Sequence, residues 1–438
     1  MIKNTIKLIF AGLLFPALVH AQTVKKIGLT EAIELGITNS KNLKLAQNKI
    51  EEAAAKLDIV NDNALPDASA SFLYNHAEIP TNTLSIGGGN PIHLPNRADA
   101  FVGTASIQEL VYGGNKLKYA KESTKLLTNI VRLDLEKNRE EVTYAVINTY
   151  FSLYKLMQSK KVIAQNLESI ASQLKQAQNF FAQGIVTKND VLRFQLQQAN
   201  ISLTDLEIEN NRKIVNYNLA ILLGLPEDTE ILVEENDVSL KAVETFGNYV
   251  SSALANRQEL QQLDLQNKVA DYHIKTIKAD KLPTVGLGAN LYYINPSGSF
   301  IPPTNQFLVP VTLGATVSWN VANLWKNKHK VAEAAIQQKE LSIQKTIVSD
   351  QLKTEVNKNY QNYLLSVQKI NVLQTSIAQA TENDRLLASK YKNNIASVTD
   401  RIDAETLLYQ AKINLEIAKA DAGLAYYTLL KSTGKISK

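Results

Sequence analysis

Residues 59–75 read IVNDNALPDASASFLYN, and residues 276–293 read TIKADKLPTVGLGANLYY. In each, a stretch of helical composition stops at a Leu-Pro pair, Leu65-Pro66 or Leu282-Pro283, and a run that alternates between small or apolar and polar residues begins. Proline lacks a backbone donor and pushes the residue before it out of the helical region, so the pair marks the change from helix to extended chain. A second matching pair, GIVTKNDVLRFQ at 184–195 and NIASVTDRIDAE at 394–405, recurs at a similar distance. The chain is therefore a tandem duplication with small insertions and deletions, each copy running helix, strand, loop, strand, very long helix, turn, long helix.

The long helices follow from periodicity. Val142, Val146, Tyr150, Leu153 and Met157, then Ile163, Leu167, Ile170 and Leu174, recur at spacings of three and four. The second copy repeats this with Leu352, Val356, Tyr360, Tyr363, Val367, Ile370, Leu373 and Ile377. Neither segment contains proline, and a helix of about 60 to 65 residues at 1.5 Å per residue is about 90 to 100 Å long, a length found in coiled coils. Between the apolar positions stand many Gln, Asn, Ser, Ala and Lys residues, as in 163–178. That richness in uncharged polar residues suits a hollow helical tube wetted on both sides.

Strand regions alternate with period two. Ala68, Ala70, Phe72 and Tyr74 share one face, and Ser69, Ser71 and Asn75 the other. Phe101, Gly103, Ala105 and Ile107 oppose Thr104, Ser106 and Gln108; Val285, Leu287, Ala289 and Leu291 oppose Thr284, Gly286, Gly288 and Asn290. Val309, Val311, Leu313, Ala315, Val317 and Trp319 oppose Thr312, Thr316, Ser318 and Asn320. Strands of about ten residues with one apolar and one polar face have the length and pattern that cross a bilayer. Four such strands set between long helices have no second sheet to pack on, and four cannot close a barrel, which takes about eight. A barrel shared between symmetric copies is the simplest solution.

Among the 438 residues there is no cysteine, so neither a disulfide framework nor a thiolate site is available. Lys3, Lys7, the apolar run at 8–19 and the small residues before Ala21 read as a secretory signal peptide at 1–21. Its removal takes two lysines from a formal charge of +5, leaving +3, too little to point to nucleic acid. No later stretch is apolar enough for a transmembrane helix. His76, His93, His273 and His329 show no metal-pair spacing, and no nucleophile motif occurs, so neither catalysis nor a cofactor is expected. The Gly-Gly-Gly at 87–89 lacks the following Lys-Ser/Thr of a phosphate loop.

LTEAIELGITNS at 29–40, the Leu-Pro junctions, QELVYGGNK at 108–116, LLGLP at 222–226 and the paired turns occur duplicated and in this order. In this the chain resembles the TolC family of outer-membrane channel-tunnel proteins over nearly its whole mature length. The resemblance implies a mostly α fold with a membrane β-barrel part: a homotrimer whose chains each give four strands to a twelve-stranded barrel, continued by an α-helical tunnel through the periplasm. It implies an outer-membrane exit duct of a tripartite efflux or type I secretion system, working with a periplasmic adaptor (a membrane fusion protein), an inner-membrane transporter and outer-membrane lipid.

On this reading a first repeat occupies 22–226, with strands at about 66–77 and 100–111 and a helical hairpin at about 114–224. An equatorial segment at 227–247 precedes a second repeat at 248–431, with strands at about 283–294 and 307–321, a hairpin at about 326–431, and a tail at 432–438. VANLWKNK at 321–328 departs from the first copy's Gly113-Gly114, so that turn is expected to differ. The alternative, a periplasmic coiled-coil adaptor, calls for one hairpin flanked by soluble β-domains.

The returning turns carry the candidate site. Ser397-Val398-Thr399-Asp400 fits a capping box, as does Thr187-Lys188-Asn189-Asp190 in the first copy. Asp403, with Glu405 just beyond, has no capping duty, and its counterpart is Arg193. The resemblance implies that Asp400, Asp403 and Tyr391 ring a periplasmic aperture, with Asp190, Arg193, Lys392 and Arg401 as possible support. The family's best-known member has an arginine where this chain has Ala396, which leaves Lys392 or Arg401 to replace its locking bond. Gly184, Ile185, Val186, Thr187, Ile395, Ala396, Ser397 and Val398 are the expected adaptor-contacting tips.

Overall fold

The computed structural model describes residues 24–80, 83–84, 87–93, 96–234, 243–296 and 308–436. The expected signal peptide, residues 235–242 of the inter-repeat segment and residues 297–307 of the second strand connection lie outside them. In order, the first repeat holds β1 (Val24–Ile27), α1 (Leu29–Asn39), α2 (Lys41–Asp62), β2 (Asp67–Glu78), the two-residue strands β3 (Thr83–Leu84) and β4 (Ile92–His93), β5 (Arg97–Tyr112), α3 (Lys116–Ala182) and α4 (Lys188–Leu223). Then come β6 (Glu230–Val233), α5 (Phe246–Asn256), α6 (Gln258–Ala279), β7 (Thr284–Pro296), β8 (Val311–Ser318), α7 (Asn323–Lys392) and α8 (Val398–Ser432). No helix of the described residues is long and apolar enough to cross a membrane.

The described residues divide into two compact units, one drawn from within 41–141, 243–360 and 429–436, the other from within 24–40, 142–234 and 361–428. In the first, an antiparallel sheet has the order β2-β5-β7-β8, so the repeats join through β5 and β7. The register sets Ala70 opposite Ala105, Phe72 opposite Gly103 and Tyr74 opposite Phe101, and the Tyr74 and Phe101 rings lie 4.9 Å apart. The other face is hydroxyl-lined: Ser69 Oγ lies 2.9 Å from Ser106 Oγ, and Ser71 Oγ 2.7 Å from Thr104 Oγ1. The two faces thus divide as the alternation requires.

Helices adjoin in the order of the strands they serve. Thr128 Oγ1 of α3 donates to the Ala53 carbonyl of α2 (3.4 Å), Gln262 Nε2 of α6 donates to Asp134 of α3 (2.6 Å), and Asn327 Nδ2 of α7 donates to the Ile277 carbonyl of α6 (2.9 Å). Both Leu-Pro junctions end their helix in a tight turn, Leu65 N donating to the Asp62 carbonyl and Leu282 N to the Ala279 carbonyl.

Two details differ from expectation. The fourth strand, expected at about 307–321, runs only from Val311 to Ser318, with one isolated bridge between Leu308 and Ile294. Pro310 is the reason: it accepts from Tyr292 N at 3.0 Å but has no N–H to return, so the ladder breaks there. Trp319 has left the ladder, its indole Nε1 donating to the Lys281 carbonyl at 3.0 Å. The strand-to-helix turns also differ: the first places Gly114 and Asn115 at φ 67° and 65°, whereas the described residues of the second hold no positive φ and close through Asn323 N to the Asn320 carbonyl.

In the second unit, β1 and β6 pair in parallel, and Tyr150 Oη of α3 donates to the Ile27 carbonyl (3.2 Å). Val146, Tyr150, Leu153, Ile163 and Ile170 of α3 are buried, as are Tyr363 and Ile370 of α7. A charged knot ties α3, α4 and β6 together. Glu209 accepts from Arg212 Nε (3.0 Å) and Nη2 (2.9 Å) and from Lys160 Nζ, while Arg212 Nη1 reaches Glu230 at 3.0 Å.

The Arg212 guanidinium, then the Lys160 ammonium, hold the Glu209 carboxyl down at about 2 against an ordinary 4.5. A depressed folded-state pKa means that this contribution is complete above the unfolded value and is lost as pH falls from 4.5 through about 2. Glu209→Gln should lower the thermal midpoint in detergent at pH 7 by about 2–4 °C, for a loss of about 1 kcal/mol. The deficit should shrink towards pH 2.5, and an equal deficit at both pH values would count against the assignment.

Candidate functional site

The two hairpin turns are built alike from unlike residues. α3 ends at Ala182, Gly184 takes φ 72°, and Ile185 N donates back to the Phe180 carbonyl at 2.9 Å. α7 ends at Lys392, Asn394 takes φ 58°, and Ile395 N donates to the Lys390 carbonyl at 2.8 Å. Left-handed backbone is free for glycine and tolerated by asparagine, whose short polar side chain bonds locally. Both turns end their helix by the same carbonyl-satisfying device.

Each returning helix then opens with a reciprocal cap. Thr187 N donates to Asp190 Oδ2 (2.8 Å) while Asp190 N donates to Thr187 Oγ1 (3.3 Å). Ser397 N donates to Asp400 Oδ2 (3.1 Å), Ser397 Oγ donates to the same oxygen (2.7 Å), and Asp400 N donates to Ser397 Oγ (3.1 Å). The Ser397 hydroxyl, followed by its backbone N–H, holds the Asp400 carboxyl below its usual range. Asp400 is thus an exposed, ionised cap. Asp403 is exposed and makes no hydrogen bond or ion pair among the described residues, so its charge meets water.

The remaining site residues fall into three settings. Tyr391 is 4 % exposed, packed between the rings of Phe180 and Phe194 at 6.1 and 5.9 Å, in a cluster that gathers α3, α4, α7 and α8 through Ile170, Ala177, Phe194 and Val398. Burial first, and the Asp190 charge second, raise its phenol. Arg193 donates from Nη1 to Thr399 Oγ1 at 3.0 Å, joining α4 to α8. Arg401 is buried and paired with Asp384 of α7, so its guanidinium is held inside the α7–α8 hairpin, whereas Lys392 is exposed and unpaired among the described residues. Ile185 and Ile395 are 45 % and 74 % exposed at the tips, with Gly184, Thr187 and Ser397 exposed beside them, Val186 and Ala396 half-buried, and Val398 turned into the cluster.

One carboxylate escaped the sequence reading. Glu405 is 3 % exposed, and its Oε1 has no hydrogen-bond partner. Burial is the largest influence on it and raises its pKa; the Ser169 hydroxyl, the Arg401 charge and Gln173 oppose this in turn. The signal was available: Val398, Arg401, Glu405 and Leu408 follow the three-and-four spacing of a buried stripe, so two charges sit on the inward side of α8. Asp384, half-buried, carried no such signal, because its partner Arg401 reaches it from the next helix. No group of three or more His, Cys, Asp or Glu among the described residues could hold a metal.

This architecture is shared with known proteins. A curated relative, nodulation protein T of Rhizobium leguminosarum bv. trifolii, is 23% identical over 428 residues, covering 92% of this chain and 84% of that one. The outer membrane protein VceC of Vibrio cholerae superposes with a TM-score of 0.74 at 16% identity, covering 93% of this chain and 96% of that chain. The CmeC outer membrane channel of Campylobacter jejuni gives 0.74 at 16% identity over 94% and 87%. The pattern of the family described as outer membrane efflux protein matches residues 32–225 and 249–435, which separates the chain from an adaptor with a single hairpin. It works in the outer membrane as an exit duct for efflux or secretion, in a family of channels rather than enzymes. Matched in both of its repeats, the chain belongs to the outer membrane efflux protein family.

Proposed function

We propose that three copies of this chain form the duct, that their sheets close one twelve-stranded barrel, and that the turns at Gly184 and Asn394 form its periplasmic aperture. The observation that carries this reading is a four-stranded sheet with an apolar face, a hydroxyl-lined face and two open edges. β2 and β8 expose every residue, and neither has a second ladder partner among the described residues. In hydrocarbon such edges must be paired, since an unpaired backbone donor or acceptor costs several kcal/mol, of the order of a lost hydrogen bond in an apolar medium.

The helices carry matching seams. On α4, Leu196, Leu203 and Tyr217 are exposed at multiples of seven, with Leu192 and Leu206 filling the alternate position. On α7, Leu365, Val372 and Leu386 are exposed at multiples of seven as well. Heptad stripes of this kind pair with another helix, and a neighbouring copy supplies it. Cross-linking of the detergent-purified protein should yield a three-chain species. Leu203→Asp together with Val372→Asp should convert most of it to smaller species, and a single-chain wild type would sink the reading.

At the aperture, threefold repetition brings Asp400 and Asp403 to one axis six times over, a ring that attracts cations. Tyr391 secures the hairpin from within, and Asp190, Arg193, Lys392 and Arg401 support the tips. Replacing both aspartates by alanine should reduce cation preference in planar-bilayer recordings several-fold; unchanged selectivity would remove them from the conduction path.

The adaptor meets the exposed tips, Ile185 and Ile395 above all, and an inner-membrane transporter lies beyond it. Ile185→Asp with Ile395→Asp should abolish adaptor co-purification and export while trimers persist. Export at wild-type level by that variant would place the docking surface elsewhere.

A further inference from the structure

The α3 stripe that meets the returning hairpin alternates in character. Ile163, Ile170 and Ala177 are buried apolar positions, and between them Asn166 and Gln173 are buried polar ones, 7 % and 8 % exposed. Asn166 Oδ1 and Gln173 Oε1 have no hydrogen-bond donor. Buried polar layers in a helical seam weaken it while fixing its register, so this contact is easier to part than an all-apolar one.

Glu405 of α8 sits against that stripe. The groups around its carboxyl are Ser169 and Gln173 of α3, Asp384 of α7, and Arg401 and Tyr409 of α8. Gln173 Nε2 donates to Ser169 Oγ at 3.2 Å, Tyr409 Oη donates to the Gln165 carbonyl at 3.2 Å, and Arg401 is occupied by Asp384. The Ser169 hydroxyl and Gln173 hydrogen-bond to the Glu405 carboxyl, but its Oε1, like Gln173 Oε1 and Asn166 Oδ1 of the same stripe, is left without a partner. A carboxyl that carries its proton supplies the missing donor; a carboxylate adds an under-solvated charge to a set already short of donors.

We infer that Glu405 is a gating residue: neutral, its carboxyl holds α8 against α3 and keeps the periplasmic end closed, and its ionisation loosens that contact, so that closure is linked to proton binding. This rests on the reading of the hairpin turns as the aperture. When the helices part, the carboxyl meets water and its proton passes to solvent. Burial raises the closed-state pKa above the ordinary 4.5 that the solvated group recovers. The closed contact is therefore fully held below that ordinary value and is lost as pH rises through the elevated one. Asp400 and Asp403, both exposed, lie outside this set.

Planar-bilayer conductance measured from pH 4 to pH 8 tests the inference, with circular dichroism melts to establish that each variant is folded. The wild type should open several-fold as pH rises. Glu405→Gln, of the same shape and always neutral, should stay at low conductance throughout and lose the pH step. Asp400→Asn with Asp403→Asn should change selectivity and keep the step. A step that survives in Glu405→Gln, a wild type with no step, or a step that vanishes only with the aspartate pair would each overturn the role of Glu405 while leaving the duct intact. A reconstituted protein that forms no pores would sink the duct reading and this inference together.

Discussion

Hydrocarbon offers a backbone N–H or C=O nothing to bond to, and the rest of this protein's design follows from that constraint. Each repeat supplies only two strands to the four-stranded sheet, because a Leu-Pro junction opens the first and a glycine or asparagine turn closes the second. Antiparallel pairing of β5 with β7 makes four, with apolar side chains on one face and Ser, Thr and Asn on the other. Four strands leave two edges. A soluble sheet could blunt its edges with charge or irregularity; in a bilayer the edges require neighbours, and copies of the same chain are the simplest source of them.

The helical hairpins meet a different constraint. They are 67 and 36 residues in the first repeat and 70 and 35 in the second, held by side-chain packing without a single disulfide. Their buried stripes nevertheless admit Asn166, Gln173, Arg401 and Glu405. Each such residue weakens the seam relative to leucine or isoleucine, and each narrows the registers in which it can close.

Within six residues the α8 entrance holds three carboxylates that the surroundings make unlike one another. Asp400 accepts from the Ser397 hydroxyl and backbone N–H and is held ionised. Asp403 faces solvent. Glu405 is enclosed between helices and pushed towards its neutral form. The first closes a helix end, the second leaves its side chain open to water, and the third is packed between helices. Residue type alone does not separate these roles.

The sequence by itself determined the duplication, the helix-to-strand junctions, the alternation of each strand and the reciprocal caps at Thr187 and Ser397. All are local: proline geometry, a period of two or of 3.6, and a side chain bonding three residues away act within a few residues of chain. Even the broken start of β8 follows from Pro310, once β7 is known to lie beside it. Only the tertiary structure decided that Tyr391 sits inside the hairpin cluster, that Arg401 is held by Asp384, and that Glu405 is enclosed with one carboxyl oxygen unpaired. Burial and pairing of that kind depend on which helix lies opposite, a relation between residues such as Ser169 and Glu405 that are far apart along the chain, and no local pattern encodes it.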